Sequence, residues 1–424
     1  MSARRPGVAW LRLLALAFGL LCVVGAEAAA AESAWVESWL TGPGLTGTWF
    51  GLRETLTQRG VTPSINYTAD VLGNPVGGQR RGIAYAGQLN AELTFDLGKL
   101  MGVDGLTFNI SGNWASGSNL SGDDIGNFFV VAQAFAGDRV RLYTLYLDQS
   151  LFDGRLDIKV GRFAPGDDFL SWPQYTFFVN IALNPAVFAT QVNVPGFTAA
   201  PIGTWGGRVR AKPVDTITTT VGMYYSDPSR DLGNTAGIDF GLDVPGAGYL
   251  TLAELAYLHN HGSGGPGMSG TYRLGGYYDS NRYPTFRDSQ TSRRGNWGVY
   301  VLADQIVYRE GGPEGQRGLG LFGALVAAPL QSINTIPFFA SGGLVYQGLL
   351  RSRPKDITGL AAYIGAFSRD LPGQSVETVL ELTHSMPLTR WLTVQPDMQY
   401  VIHPSGRSST KNALVIGAQI LIQF

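Results

Sequence analysis

Residues 412–424 read NALVIGAQILIQF. Leu414, Ile416, Ala418, Ile420, Ile422 and Phe424 take every second position, and Gly417, Gln419 and Gln423 stand between them. A period of two is that of a β-strand with one apolar face. A greasy strand at a terminus needs a partner, because an open edge frays or invites pairing with another chain. Pairing with the first strand meets that need. It puts the even positions on a lipid-facing side and turns Gly417, Gln419 and Gln423 inward.

The same alternation recurs upstream. Tyr67, Ala69 and Val71 interleave with Asn66, Thr68 and Asp70. In GQLNAELTFDL (87–97), Leu89, Ala91, Leu93, Phe95 and Leu97 alternate with Gln88, Asn90, Glu92, Thr94 and Asp96. LTFNISGNW (106–114) and LTVQPDMQYVI (392–402) repeat it. Weaker alternation predicts further strands over 138–149, 155–163, 204–212, 215–226, 248–260, 270–280, 296–309, 318–328, 338–350, 357–368 and 375–385. Turn-rich stretches such as ASGSNLSGDDIGN (115–127) and NHGSGGPGMSG (260–270) separate some of them.

Composition agrees with two-faced strands. The chain of 424 residues is 45% hydrophobic and 15% charged, against about 25% charged in soluble domains. Arg4, Arg5 and Arg12 lead into or begin LLALAFGLLCVV, and small residues follow in GAEAAAAES. This is the layout of a secretory signal peptide over 1–31. A membrane anchor is the alternative, but the run is shorter than the ~20 residues a span needs. Cys22, the one cysteine, lies inside it behind Leu21 rather than a small residue, so a lipoprotein signal is not expected and the mature chain forms no disulfide. Without 1–31, Lys+Arg falls from 31 to 28 and Asp+Glu from 32 to 31, leaving a net charge of about −3 and no case for nucleic-acid binding. No later apolar run is long enough for a membrane-crossing helix. Residues 32–60 differ from the rest: Trp49, Leu52 and Leu56 lie at helical spacing and Gly60 is a stop, which predicts a short amphipathic helix before the sheet.

Two architectures bury such strands, a soluble sandwich or a transmembrane barrel with its apolar face to lipid and its polar face to an aqueous lumen. The signal without cysteines and strands near the ~10 residues of a tilted span favour the barrel. Aromatics near strand ends also favour it, since they would form girdles: Tyr67, Trp114, Tyr146, Trp205, Tyr225, Tyr257, Trp391, Tyr400 and Phe424. The expected fold is all-β, an antiparallel transmembrane β-barrel over 61–424. About 16 strands fit that length at roughly 23 residues each with its connection.

Several blocks, in order, resemble the carbohydrate-selective porins of the OprB family. They are LTGTWFGLRETLTQRGVTPSINYTADVLGNPVGG (45–78), RLYTLYLDQSLFDGRLDIKVGRFAPGDDF (141–169) and FFVN (177–180), followed by GTYRLGGYYDS, GLVYQGLL and WLTVQPDMQYVIHPSG. The resemblance spans about 40–424. It implies a Gram-negative outer-membrane porin that passes glucose-type sugars by diffusion through a constricted channel, without catalysis and without a cofactor or metal. It also implies lipid around the barrel and assembly machinery that reads the terminal Phe424; monomer and trimer both stay open. Thr144 stands where the family often has an acidic residue, and Gln419 where it often has an arginine.

A sugar pore needs polar groups that exchange hydrogen bonds with hydroxyls, aromatic faces for the sugar ring, and binding weak enough to release. Alternation with Trp205, Gly207 and Val209 turns Arg208 and Arg210 to the lumen, and Arg273 sits likewise between Tyr272 and Leu274. Glu92, Asp96, Glu254, Glu381 and Asp397, with Gln399, are the expected acidic and amide counterparts. Arg162, Asp168, Phe169, Trp172 and Asn180 belong to GRFAPGDDFLSWPQYTFFVN (161–180), a block that can fold inward as a constriction loop or stay an ordinary surface loop. Other motifs lack their context. Gly318–Gly323 fits G-x-G-x-x-G but opens an apolar strand rather than joining strand to helix. His259 and His261 have no third ligand nearby. Asp123–Asp124 and Asp167–Asp168 read as loop acids sooner than as a hydrolytic pair. A general porin without a sugar site, and a barrel hydrolase using serines with His384 or His403, are the alternatives.

Overall fold

The computed structural model describes residues 40–184, 186–227, 236–238, 241–242, 244, 246–261, 267–312 and 315–424, and the fold lies in a compact unit, Pro43–Phe424. The expected signal peptide, 1–31, lies outside the described residues. Sixteen strands form one closed antiparallel barrel. They are β1 (Val61–Gly78), β2 (Ile83–Asp96), β3 (Leu106–Gly117), β4 (Arg139–Leu151), β5 (Leu156–Phe163), β6 (Thr204–Val214), β7 (Ile217–Ser226) and β8 (Gly248–His259). The second half comprises β9 (Gly270–Pro284), β10 (Ser292–Arg309), β11 (Gly318–Ala327), β12 (Phe338–Gln347), β13 (Ile357–Ala366), β14 (Val376–Pro387), β15 (Leu392–Ile402) and β16 (Lys411–Gln423). Each strand pairs with its neighbours in the chain, and β1 closes on β16 with Asp70 opposite Gln419 and Tyr67 opposite Ile422.

Side chains alternate as the period of two requires. Val71, Leu93, Trp114, Met398, Tyr400 and Ile416 are exposed on the outer wall, while Asp70, Gln88, Asp397 and Gln419 are buried inside. On β8–β10 the outer aromatics form two levels, Tyr249, Tyr278 and Trp297 toward one rim and Tyr257, Tyr272 and Tyr308 toward the other. The nine residues from Tyr249 to Tyr257 span on the order of 20 Å of height in a tilted strand, close to the apolar band of an outer-membrane barrel. Three expected girdle members lie elsewhere. Tyr146 turns inward against Phe163 and Lys159, and Tyr225 and Trp391 are buried.

The helix before the sheet is α1 (Leu52–Gln58). Trp49 is not part of it: Trp49, Phe50 and Gly51 all have positive φ, and that left-handed run sets the helix start at Leu52. Gly60, at φ 93, ends the turn as expected. The segment clasps the chain's end. Leu45 N donates to Gln423 O at 2.7 Å, the Arg53 guanidinium reaches Phe424 O, and Phe424 N donates to Ile65 O at 2.9 Å.

The tightest connections lie at one rim, 152–155 between β4 and β5 and 215–216 between β6 and β7, with none there longer than 260–269. The longest ones, 118–138, 164–203 and 227–247, all lie at the other rim, the arrangement of periplasmic turns and extracellular loops. Two of the longer ones, 118–138 between β3 and β4 and 164–203 between β5 and β6, fold into the barrel. There Phe129, Phe169, Tyr175, Phe178 and Phe197 are fully buried against Tyr224, Leu250, Tyr300, Phe339 and Tyr363 of the wall. The inner wall of β7–β14 is therefore largely apolar where the loops pack, not polar throughout.

Candidate functional site

The inward loops meet the wall through carboxylates and amides. Phe128 N and Phe129 N donate to the two oxygens of Glu377 on β14 at 2.8 and 2.7 Å, and Ser405 N donates to the same carboxylate. Ala134 N donates to Asp70 on β1 at 2.9 Å, and the other Asp70 oxygen accepts from Gln419 Nε2 at 2.8 Å. In the β5–β6 loop, Val179 N donates to Glu381 at 2.6 Å, with Asn180 N beside it. Asn180 Nδ2 donates to Gln399 Oε1 at 2.9 Å, and Gln399 Nε2 in turn donates to Asp397 at 2.7 Å and to Val131 O at 2.8 Å. The loops also pair with each other, Gln133 N to Val179 O and Ile181 N to Val130 O, both at 2.9 Å. Buried N–H groups must find acceptors, and bonds to a charged acceptor are worth about 1.5–3 kcal/mol each. The carboxylates thus fix where the two loops stand.

A second cluster lies where the β5–β6 loop leaves β5. Asp168 accepts ion pairs from Lys159 at 3.1 Å, Arg210 at 2.9 Å and Arg208 at 3.3 Å. Arg208 also reaches Asp157 at 3.4 Å and Asp148 at 3.6 Å. Three cations and three carboxylates balance, as a buried network requires. Burial by itself raises the Asp168 carboxyl, but Lys159, Arg208 and Arg210 outweigh it and hold it below the ordinary 3.8. Arg208 is buried, whereas the Arg210 side chain is 40% exposed to the lumen. A third contact closes the loop on the other side. Arg273 Nη1 donates to Ser171 O at 3.2 Å and Glu254 at 3.3 Å, its guanidinium lies 5.4 Å from the Trp172 ring, and Tyr300 Oη donates to Glu254 at 3.0 Å.

The residues expected from sequence divide by position. Arg208, Arg210 and Asp168 share the ion network, and Arg273, Glu254 and Trp172 share the third contact. Phe169, Trp172, Asn180, Glu381, Asp397 and Gln399 are buried, which places them behind the channel surface as supports of the loops. Glu92 faces the lumen, accepts from Asn109 Nδ2 at 2.7 Å and is exposed. Two residues stand apart. Asp96 ends β2 and caps α2 (Leu97–Met101), accepting from Lys99 N at 3.1 Å. Arg162 points outward, because Asp157, Lys159 and Phe163 take the inward positions of β5 and Arg162 pairs across to the outward Leu145 and Trp205. Of the two departures from the family, Thr144 is buried and donates to Asn109 Oδ1 at 2.6 Å, and Gln419 serves Asp70.

Sequence reasoning missed Asp70, Lys159, Asp148, Asp157 and Glu377, and the whole inward course of 118–138. The signal was there: FFVVAQAFAG (128–137) is too apolar for a solvated loop. Three other motifs have local partners. Gly318–Gly323 lies in β11, His259 and His261 bond to Asn260 and Thr271 respectively, and Asp124 pairs with Arg80 at 2.6 Å. Among the described residues no group of three His, Cys, Asp or Glu is placed to hold a metal.

Comparison with known proteins gives the same picture. Porin B of Pseudomonas aeruginosa is 29% identical over 425 residues, covering 90% of this chain and 91% of that protein. A putative porin, QuiX, of Acinetobacter baylyi is 23% identical over 448 residues, covering 95% and 97%. The high-pH structure of Pseudomonas putida OprB superposes with a TM-score of 0.83 at 28% identity, covering 91% of this chain and 99% of that one. Residues 80–424 match the family described as carbohydrate-selective porin, OprB family. The closed sixteen-stranded barrel, its two inward loops and this match make the chain a member of the carbohydrate-selective OprB porin family, a Gram-negative outer-membrane channel.

Proposed function

We propose that glucose-type sugars diffuse through this porin past a constriction made by the β5–β6 loop, backed by the β3–β4 loop. The observation that carries this is the docked β5–β6 loop with Asp168 locked among Lys159, Arg208 and Arg210. In this reading the solute meets the groups that remain exposed, Arg210, Glu92 and Asp167, whose Oδ1 accepts from Tyr143 Oη at 2.6 Å. Arg208, Asp168, Glu381 and Gln399 act behind them by holding the loop. Fixed charges and hydroxyls in a narrowed lumen exchange hydrogen bonds with sugar hydroxyls, yet each contact is weak enough for release. Export through the periplasm after cleavage of 1–31, assembly through Phe424, and a monomeric or trimeric state belong to the same reading.

The test is a planar-bilayer recording of purified protein with increasing glucose or maltose. The expected result is a small ion conductance that falls with sugar concentration. A conductance that no sugar reduces would favour a general porin without a sugar site. Liposomes that stay impermeable to sugar would refute the function itself.

A further inference from the structure

The barrel seam carries a feature that sugar diffusion does not use. Where β1 meets β16 at the long-loop rim, the register slips twice, between Gly73 and Val76 and again between Val76 and Gly78. Each slip is a bulge, which re-aims side chains and opens the strand pair. Gly77 and Gly78 have φ of 78° and 70°, and a Cβ on Gly77 would overlap the Asn412 carbonyl, so only glycine fits the bend. The bend leaves a cleft of about 440 Å³ bordered by Arg80, Arg81, Lys411 and Asn412.

The cleft opens to the outer wall. Val76, one of its lining residues, is among the exposed apolar side chains, and Asn412 Nδ2 reaches the hydroxyl of Tyr400, which is exposed on the lipid side. Ile83, next to the cationic turn, is 81% exposed. Arg80 is paired with Asp124, while the side chains of Arg81 and Lys411 make no ion pair or hydrogen bond among the described residues. Two uncompensated cations therefore stand at the rim, immediately above bare apolar surface. That combination complements an amphiphile with an anionic head and acyl chains, at the level where the outer leaflet presents its headgroups.

We propose that the β1–β16 seam binds the phosphorylated headgroup of an outer-leaflet glycolipid, with Arg81 and Lys411 on the phosphate and Val76 and Ile83 against the first acyl chain. This goes beyond the sugar channel and uses none of its residues.

Native mass spectrometry of the detergent-purified protein with diphosphoryl lipid A tests it, with dephosphorylated lipid A and inorganic phosphate as the other arms. The expected result is retention of diphosphoryl lipid A and not of its dephosphorylated form, with no displacement by millimolar phosphate. A juxtamembrane cation contributes about fivefold in affinity, so Arg81→Ala with Lys411→Ala weakens binding roughly 25-fold and leaves sugar block of the channel unchanged. Equal binding of the two lipids, or unchanged affinity in the double variant, overturns the proposal. Displacement by phosphate alone overturns the lipid assignment. If the double variant does not assemble, Lys411→Gln alone decides, with about a fivefold loss expected and no loss refuting.

Discussion

Replacing Glu377 with alanine should loosen the channel without altering a single residue that lines it. Glu377 is fully buried and receives the N–H groups of Phe128, Phe129 and Ser405. The alanine variant leaves three donors without their acceptor. Two of the three, Phe128 and Phe129, belong to the β3–β4 loop, so at the low end of about 1.5 kcal/mol per bond to a charged group its docking weakens by about 3 kcal/mol, and water entering from the lumen sets that low end. About 3 kcal/mol raises the population of the undocked loop on the order of 150-fold. The β3–β4 loop also backs the β5–β6 loop through Val179 and Ile181, so both should fluctuate. Single-channel recordings are expected to show step-like openings, a larger mean conductance and weaker sugar block. Glu377→Gln keeps one acceptor oxygen and should fall between. Heat-modifiable migration on a gel verifies that each variant has folded. A folded alanine variant with the conductance, noise and sugar block of the parent would refute the reasoning, because it would show that the loop is held by something else.

Three other outcomes follow from the same contacts. Arg208→Ala with Arg210→Ala removes two of the three cations around Asp168, so the reversal potential in a salt gradient should shift toward cation preference; an unshifted potential removes the pair from the mechanism. The Asp168 carboxyl sits below the ordinary 3.8 in the folded state, so its stabilisation of the loop is complete above that value and is lost as pH falls through the lower folded value. Asp168→Asn should therefore abolish an acid-induced rise in conductance that the parent shows only below about pH 4, and a parent with no such rise contradicts the network. Phe129→Ala empties a fully buried site between the loop and Phe339 and should lower stability in urea titrations by about 3–5 kcal/mol; a change under about 1 kcal/mol would mean the interior is not packed there.

The strands were legible because lipid forces a strict period on the outer wall. Leu89, Leu93 and Phe95, or Met398 and Tyr400, mark that wall, and the polar residues between them mark the lumen. The clearest strands, β2, β3 and β15, have polar inner faces. Several of the weaker ones have apolar inner faces as well, and the reason is the loops. Leu250 and Leu252 of β8, Phe322 and Val326 of β11, and Phe339 of β12 turn inward to pack against loop residues, which erases the polar half of the alternation. The lumen charges at 208, 210 and 273 were readable from strand position alone. Glu377 and Asp70 were not, since their role depends on loop backbones that reach them from far along the chain. Arg162 fails for a simpler reason: the Gly161–Arg162 pair is eye-catching as a motif, but one step of the pleat decides its side.

The loops inside the barrel also constrain the order in which the chain can assemble. Phe129 and Glu377 are 248 residues apart, and Asp70 and Gln419 are 349 apart. Contacts at such separations must wait for almost the whole polypeptide, and closing loops of that length is slow. The seam between β1 and β16 cannot zip before β14 and β15 are in place, and those strands carry the carboxylates and amides that capture the two loops. Sealing the cylinder and filling it are therefore one late event. Until then a partly built sheet shows apolar side chains on both faces along β8–β12, one face meant for lipid and the other for the chain's own loops. That inner face is the surface through which an unfinished chain would stick to its neighbours.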